Sequence, residues 1–100
     1  MKYRAKKKGI EFDITFDNLR DLYFTQKARC FYSGLPFDFK DPMGVLSVDR
    51  VDNTRGYTEG NVVWCRFGVN SLKSSRTYEG LVDICKKVVF HHPDWKMLNE

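Results

Sequence analysis

Apolar residues recur at helical spacing in two stretches of the chain. The first stretch predicts a helix over residues 16–28, with Thr15 as its N-cap. Its apolar positions are Phe16, Leu19, Leu22 and Tyr23. The second stretch predicts a helix that begins after Thr77 and that Pro93 ends. Its apolar positions are Leu81, Ile84, Cys85 and Val88.

Between these helices the pattern is typical of strands and turns. "LSVDRV" and "NVVWC" predict two strands that pair antiparallel across the turn-rich segment "DNTRGYTEG". "EFDIT" predicts a short extended piece, and "CFYSGLPFDFKDPMGV" a loop with a small knuckle. "FGVNSLKS" predicts a short helix directly after the second strand. The order helix, loop, strand, strand, helix, helix indicates an α+β fold.

The length bounds the number of domains. With 100 residues and 42% hydrophobic residues, the chain predicts a flexible basic arm at residues 1–9 and a single domain at residues 10–100. No run approaches the roughly 18 apolar residues of a membrane span, and no signal peptide is evident. Three cysteines without tight spacing argue against a disulfide framework. We therefore expect a soluble cytoplasmic protein without a membrane partner.

Positive charge gathers around the predicted hairpin. Lys and Arg outnumber Asp and Glu by 17 to 13, which gives a net charge of +4. Basic residues around a loop that also carries acids and amides suit a polyanion such as DNA. The alternative is an ordinary solvated face next to a basic tail. The residues that we expect to bind nucleic acid are Arg55, Arg66, Lys73 and Arg76.

The hairpin also carries candidate metal ligands. Asp49 ends the first strand beside Arg50, and Asn70 lies on the short helix. One carboxylate and one amide oxygen are a reasonable protein contribution to Mg²⁺ or Mn²⁺, which keep several waters. The alternative is a surface ion pair of Asp49 with Arg50 and an Asn that caps a helix. Asn61 has the position to hold the loop through backbone hydrogen bonds.

These residues resemble the HNH nucleases. The order strand, loop, strand and helix, the wording "DRxDxxxGYxxxNV" and the Asn-x-x-Lys of "NSLKS" are similar to small HNH-like proteins of bacteriophages, over roughly residues 30–76. The resemblance implies the ββα-metal fold, flanked by N- and C-terminal helices. It implies a Mg²⁺-dependent endonuclease acting on double-stranded DNA, with Asp49 and Asn70 as metal ligands. Asn61 would fix the loop, and Lys73 would meet a phosphate.

One departure from the family concerns the general base. The His that follows the family's Asp is Arg50 here, and arginine stays protonated near neutrality. Arg50 would instead stabilise the transition state. Tyr57 and Tyr32 are then the candidates for the missing base, and His91 and His92 are expected to lie farther away. Alternatively a metal-bound hydroxide attacks unaided, or the domain is a catalytically inactive nuclease-derived module that binds nucleic acid. A purely structural phage protein is a third interpretation.

A second departure concerns zinc. The family's two Cys-x-x-Cys knuckles are reduced to Cys30 and an out-of-register Cys65, and tetrahedral zinc needs four ligands. We therefore predict no structural zinc. Asp52, followed by Asn53, predicts an Asx-type turn, with a second metal ligand as the weaker alternative. The choice between monomer and homodimer stays open, because the sequence shows no unambiguous dimer surface.

Overall fold

The computed structural model describes residues 10–92. The predicted basic arm at residues 1–9 lies outside this range. Within it the chain forms four strands: β1 Phe12–Asp13, β2 Leu46–Arg50, β3 Tyr57–Thr58 and β4 Val62–Arg66. It also forms three helices: α1 Phe16–Thr25, α2 Phe67–Lys73 and α3 Tyr78–His91. The predicted α+β class and the predicted order of the main elements are confirmed.

A capping box starts α1. The Thr15 hydroxyl accepts a hydrogen bond from the Asn18 backbone N–H at 3.0 Å, and the Asn18 side chain accepts one from the Thr15 N–H at 3.1 Å. The N-cap prediction is confirmed, but the helix ends at Thr25 and not at residue 28. Lys27 and Ala28 both have φ 58°, a left-handed conformation that leaves the helix.

The predicted hairpin pairs β2 with β4 in antiparallel register. Val48 lies opposite Trp64, and Asp49 lies opposite Val63. Successive side chains in a strand point to opposite faces. Val48 therefore packs on the hydrophobic core, while Asp49 points to the other face, toward α2.

A second, smaller sheet was not predicted. β1 pairs in parallel with β3, so that Phe12 lies beside Tyr57. The Tyr57 N–H donates to the Glu11 carbonyl at 2.8 Å. A Cβ at Gly56 would lie 2.4 Å from that carbonyl oxygen, so only glycine allows this approach. The pairing draws the long loop between β2 and β4 onto the start of the chain's described part.

The core lies between α1 and the hairpin. Its buried members Ile14, Leu19 and Val62 are surrounded by partly buried aromatic and aliphatic side chains. Trp64 locks α1 to β4, because its Nε1 donates to the Leu19 carbonyl at 2.8 Å. Gln26 then exchanges two hydrogen bonds of 2.9 Å with the Trp64 backbone. The hairpin is thereby fixed on one face, and its other face is left for α2.

Both C-terminal helices begin where predicted. α2 follows β4 directly, and the Phe67 N–H donates to the Val45 carbonyl at 2.9 Å. Thr77 caps α3 by accepting from the Gly80 N–H at 3.0 Å. α3 ends at His91, and Pro93, the predicted stop, lies outside the described residues. None of the described helices has the length and apolar character that crossing a membrane requires.

Candidate functional site

Asp49 is buried at the end of β2, with 6% of its surface exposed. Its partner is not the neighbouring Arg50 but Lys73, the last residue of α2. The Lys73 Nζ lies 3.1 Å from Asp49 Oδ2 and donates to the Arg50 carbonyl oxygen, also at 3.1 Å. The Lys73 side chain is fully buried. The surface ion pair of Asp49 with Arg50, considered as an alternative above, is replaced by this buried pair.

Tyr32 is the second partner of the Asp49 carboxylate. Its hydroxyl donates to Asp49 Oδ2 at 2.5 Å. The knuckle loop brings it there, because the Phe31 N–H donates to the Trp64 carbonyl of β4 at 3.0 Å. Burial, then the hydrogen bond and the charge of Asp49, raise the pKa of the Tyr32 phenol. The phenol therefore stays protonated near neutrality and acts as a donor, whereas a general base would need a lowered pKa.

Asn70 lies on α2 one turn before Lys73. Its Nδ2 donates to the Ser47 hydroxyl at 2.6 Å. Ser47 precedes Asp49 by two residues and so shares its face of β2. Both predicted metal ligands therefore lie on the face between β2 and α2. Because Asn70 donates through its nitrogen, its carbonyl oxygen is the atom that could ligate a cation.

The residue types at this face suit a hard cation. A carboxylate and an amide oxygen, completed by water and phosphate oxygens, are a normal Mg²⁺ environment. Asp49 and Asn70 are the residues that would hold the ion. Between residues 10 and 92, no group of three or more His, Cys, Asp or Glu side chains could hold a metal by itself. In the arrangement described, Lys73 already neutralises the carboxylate that the ion would use.

Arg50 points to the opposite face of β2. Its Nη1 donates to the carbonyl oxygens of Asn53 and Arg55, each at 3.1 Å. The guanidinium also lies 5.2 Å from the centroid of the Tyr57 ring. Arg50 thus holds the loop that follows β2, and transition-state stabilisation by this residue remains a prediction.

Tyr57 packs on the core side of the molecule. Its ring centroid lies 5.6 Å from that of Phe12, and the residue packs against the buried cluster. Of the two tyrosines considered for the site, Tyr32 contacts the Asp49 carboxylate, whereas Tyr57 contacts Arg50. No local pattern in the sequence separates the two tyrosines, because the contact of Tyr32 with Asp49 spans 17 residues.

Asn61 makes the loop contacts predicted for it. The side chain is 1% exposed. Its Oδ1 accepts from the Asp52 N–H at 3.0 Å, and its Nδ2 donates to the carbonyls of Asp52 and Gly56 at 3.1 and 2.8 Å. This role is structural, and a direct catalytic part for Asn61 remains untested.

Asp52 forms the predicted turn. Its Oδ1 accepts hydrogen bonds from the Thr54 hydroxyl and N–H at 2.6 and 2.9 Å. These hydrogen bonds lower the pKa of the Asp52 carboxyl. The carboxylate is thus engaged in an Asx-type turn within the loop.

The four residues predicted to bind nucleic acid lie in different surroundings. Arg55 and Arg76 are exposed at the surface. Arg66 donates twice to the Pro36 carbonyl, at 2.9 and 2.6 Å. Lys73 is fully buried against Asp49, so its ammonium is not at the surface in this arrangement, and its contact with a phosphate stays a prediction. Its helical spacing from Asn70 was predicted correctly, since both side chains reach β2.

Two buried thiols lie in the same part of the molecule as Asp49. Cys30 and Cys65 are buried and free, and Cys30 Sγ accepts from the Ser33 N–H at 3.4 Å within the knuckle turn. Burial, then the charge of Asp49, raises the pKa of Cys65 to about 12. Burial also tends to raise the pKa of Cys30, but hydrogen bonds, first that of Ser33, outweigh it and lower the pKa. The sequence did not indicate that Cys65 and Asp49 interact. The predicted lack of a structural zinc stays a prediction.

Comparison with known proteins gives one informative similarity. No protein-family model matches the chain, and no solved structure matches it. The chain is 35% identical over 79 residues to a protein described as "Uncharacterized 29.0 kDa protein in dda-modA intergenic region" of Enterobacteria phage T4. The match covers 79% of this chain and 31% of the phage protein, so the chain spans about a third of the length of that relative. A similarity to a bacteriophage protein therefore stands beside the resemblance noted in the sequence.

Proposed function

We propose that this domain is a Mg²⁺-dependent endonuclease that hydrolyses phosphodiester bonds in DNA. One observation carries the proposal: the hairpin and α2 bring Asp49 and Asn70 to the same face of β2, with Tyr32 donating to the Asp49 carboxylate. The order of β2, loop, β4 and α2 along the chain supports the proposal, because the resemblance implies the same order of elements. Burial and the contact with Asp49 raise the pKa of the Tyr32 phenol, and groups with shifted pKa values are common at functional sites.

Each residue has a task in this proposal. Asp49 and Asn70 would hold the cation, which when bound would acidify water and neutralise charge on the phosphate. Tyr32 holds its proton on the phenol oxygen and orients Asp49. Arg50 and Asn61 keep the loop in place, and Arg50 takes no proton. Arg55 and Arg76 supply exposed positive charge for the phosphate backbone.

Cleavage of supercoiled plasmid tests the proposal. Purified protein is incubated with Mg²⁺, with Mn²⁺ and with chelator, and nicked and linear products are separated on a gel. We expect cleavage with either metal and none with chelator. Cutting that persists in chelator at the same rate would contradict the proposal.

Variants connect the cleavage to the site. Asp49→Asn is compared with Asp52→Asn, a matched control in which the altered carboxylate belongs to the exposed loop turn. Asn70→Ala is a second site variant that leaves the buried pair intact. The folded fraction of each variant is measured by circular dichroism in the cleavage buffer. We expect Asp49→Asn and Asn70→Ala to lose cleavage and Asp52→Asn to keep it; equal rates in all three would exclude this site.

A second candidate function is a binding module that no longer cuts. It is favoured by the pairing of Asp49 with Lys73 and by Arg50 in place of a base. Such a module would bind DNA with an affinity that falls steeply as salt rises, because phosphate contacts release counterions. Asp49→Asn would leave that affinity unchanged, and Arg55→Ala with Arg76→Ala would weaken it. An affinity that stays flat between low and high salt would contradict this candidate.

A further inference from the structure

Lys73 is the buried cation of the site. Its side chain has 0% exposure, and its Nζ contacts both a carboxylate oxygen of Asp49 and the Arg50 carbonyl oxygen. A lysine ammonium is almost never fully buried unless it is paired. The pairing with Asp49 compensates the loss of hydration at both groups. Lys73 therefore neutralises Asp49 without any ion from solution.

The proposed metal would use the same carboxylate. A divalent ion on Asp49 and an ammonium 3.1 Å from Asp49 Oδ2 would lie a few ångströms from each other. Like charges at such a distance repel strongly in a buried site, because the effective dielectric constant there is far below that of water. Asp49 therefore cannot bind both cations equally well.

We propose that Lys73 is a built-in competitor for the metal at Asp49, and that a divalent cation binds only as Lys73 gives up this carboxylate. The inference rests on the proposed function in one respect, the choice of Asp49 as metal ligand. The Arg50 carbonyl offers the ammonium a second acceptor at 3.1 Å, so Lys73 can leave the carboxylate and remain hydrogen-bonded. Divalent-ion affinity is thus set by a residue of the chain as well as by the ligands.

Binding of Mn²⁺ without DNA tests the inference directly. Free Mn²⁺ is followed by electron paramagnetic resonance for the wild type and for Lys73→Gln, which keeps a hydrogen-bond donor and removes the charge. Because a nearby positive charge is lost, we expect Lys73→Gln to bind Mn²⁺ at least about tenfold more tightly. The double variant Asp49→Asn with Lys73→Gln should lose the gain. Equal or weaker affinity in Lys73→Gln would overturn the inference.

A matched control shows that the effect is local. Lys87 also pairs with an aspartate, Asp83 at 2.9 Å, but both side chains are exposed on α3. Lys87→Gln should bind Mn²⁺ as the wild type does. A gain in Lys87→Gln equal to that in Lys73→Gln would mean that net charge alone controls the affinity, which overturns the inference.

Lys73→Gln leaves the buried Asp49 carboxylate without its counter-charge, so the variant could fold poorly. Thermal unfolding with and without Mn²⁺ tests the inference in that case. A ligand that binds only the folded state stabilises it. We expect Mn²⁺ to raise the unfolding temperature of Lys73→Gln more than that of the wild type, or to restore its folding. A variant that responds no more than the wild type would overturn the inference.

The inference and the proposed function can fail separately. Tighter Mn²⁺ binding by Lys73→Gln together with an inactive wild type would exclude the nuclease activity and support competition between Lys73 and the metal. Metal-dependent cleavage by the wild type, together with equal Mn²⁺ affinities of the wild type and Lys73→Gln, would support the nuclease activity and exclude the competition.

Discussion

The two faces of β2 place neighbouring charged residues in different environments. Asp49 points into the interior between β2 and α2, where Lys73 and Tyr32 bind its carboxylate. Arg50, the next residue, points to the other face and binds two loop carbonyls and the Tyr57 ring. The pair that the resemblance treats as one catalytic unit is therefore divided. Asp49 lies in the candidate site, whereas Arg50 holds the loop that follows β2.

Burial decides the role of each of these two charges. The Asp49 pair is almost completely removed from water, so each partner depends on the other. Arg50 is partly exposed and interacts with neutral carbonyls. When Arg50 is substituted, water can therefore replace some of the hydrogen bonds that these carbonyls lose. Substitutions on the two faces should consequently differ in size, and the predictions below follow that order.

The largest loss is expected for the buried pair. Asp49→Asn or Lys73→Met alone leaves one buried charge without its partner, which should lower the free energy of unfolding by about 3–5 kcal/mol. The double variant should lose less than the sum of the two, because no unpaired charge remains. Urea denaturation of the four proteins measures this coupling. Additive losses, or single losses below about 1 kcal/mol, would show that the pair is not buried as described.

Asn61→Ala should have the next largest effect. The substitution leaves the Asp52 N–H and the carbonyls of Asp52 and Gly56 without their partner in the interior. We expect a loss of about 2–4 kcal/mol in urea denaturation. Asn53→Ala is the control, since the Asn53 amide donates only a long hydrogen bond of 3.5 Å, to the Arg76 carbonyl, within the described residues. If both alanine variants were equally stable, Asn61 would not hold the loop.

Arg50→Gln should cost less than either. The variant loses the hydrogen bonds to the carbonyls of Asn53 and Arg55 on a partly exposed face, and we expect about 1–2 kcal/mol. Amide hydrogen exchange should accelerate in the loop and stay unchanged in α2. Faster exchange around Lys73 and unchanged exchange in the loop would place Arg50 on the wrong face.

Tyr32→Phe should have the smallest effect at neutral pH, about 1 kcal/mol for one hydrogen bond. The direction in which this stability difference changes with pH follows from the raised pKa of the phenol in the folded protein. A raised pKa contributes stability below the unfolded value of about 10 and loses it as pH rises further. The advantage of the wild type over Tyr32→Phe should therefore be constant up to about pH 10 and shrink above it. An advantage that grows with pH would contradict the buried contact with Asp49.

Local signals explain what the sequence predicted well. Thr15 with Asn18, and Thr77 with Gly80, are caps formed within three residues, so both helix starts follow from the sequence. The role of Asn61 is similarly local, because its amide bonds the Asp52 backbone, which lies only nine residues earlier in the chain. In contrast, β1 and β3 are two-residue strands from distant segments, and no periodicity marks them.

Tertiary contacts explain what the sequence missed in the site. The spacing of Asn70 and Lys73 predicts a shared helix face, but it does not say whether that face is solvated or covered by β2. Tyr32 could not be preferred to Tyr57, because the knuckle loop reaches Asp49 only after its backbone has joined β4. That Asp49 and Arg50 point apart follows from strand alternation, but the resemblance to an adjacent catalytic pair favoured the opposite interpretation.

The most direct test of the site is a crystal structure of the protein soaked in Mn²⁺, with anomalous diffraction used to locate the ion. We predict an anomalous peak bound by a carboxylate oxygen of Asp49 and the amide oxygen of Asn70, with the Lys73 ammonium moved from Asp49 toward the Arg50 carbonyl. The absence of a peak at saturating Mn²⁺, with Lys73 and Asp49 still paired, would contradict the account and leave the pair as a purely structural feature.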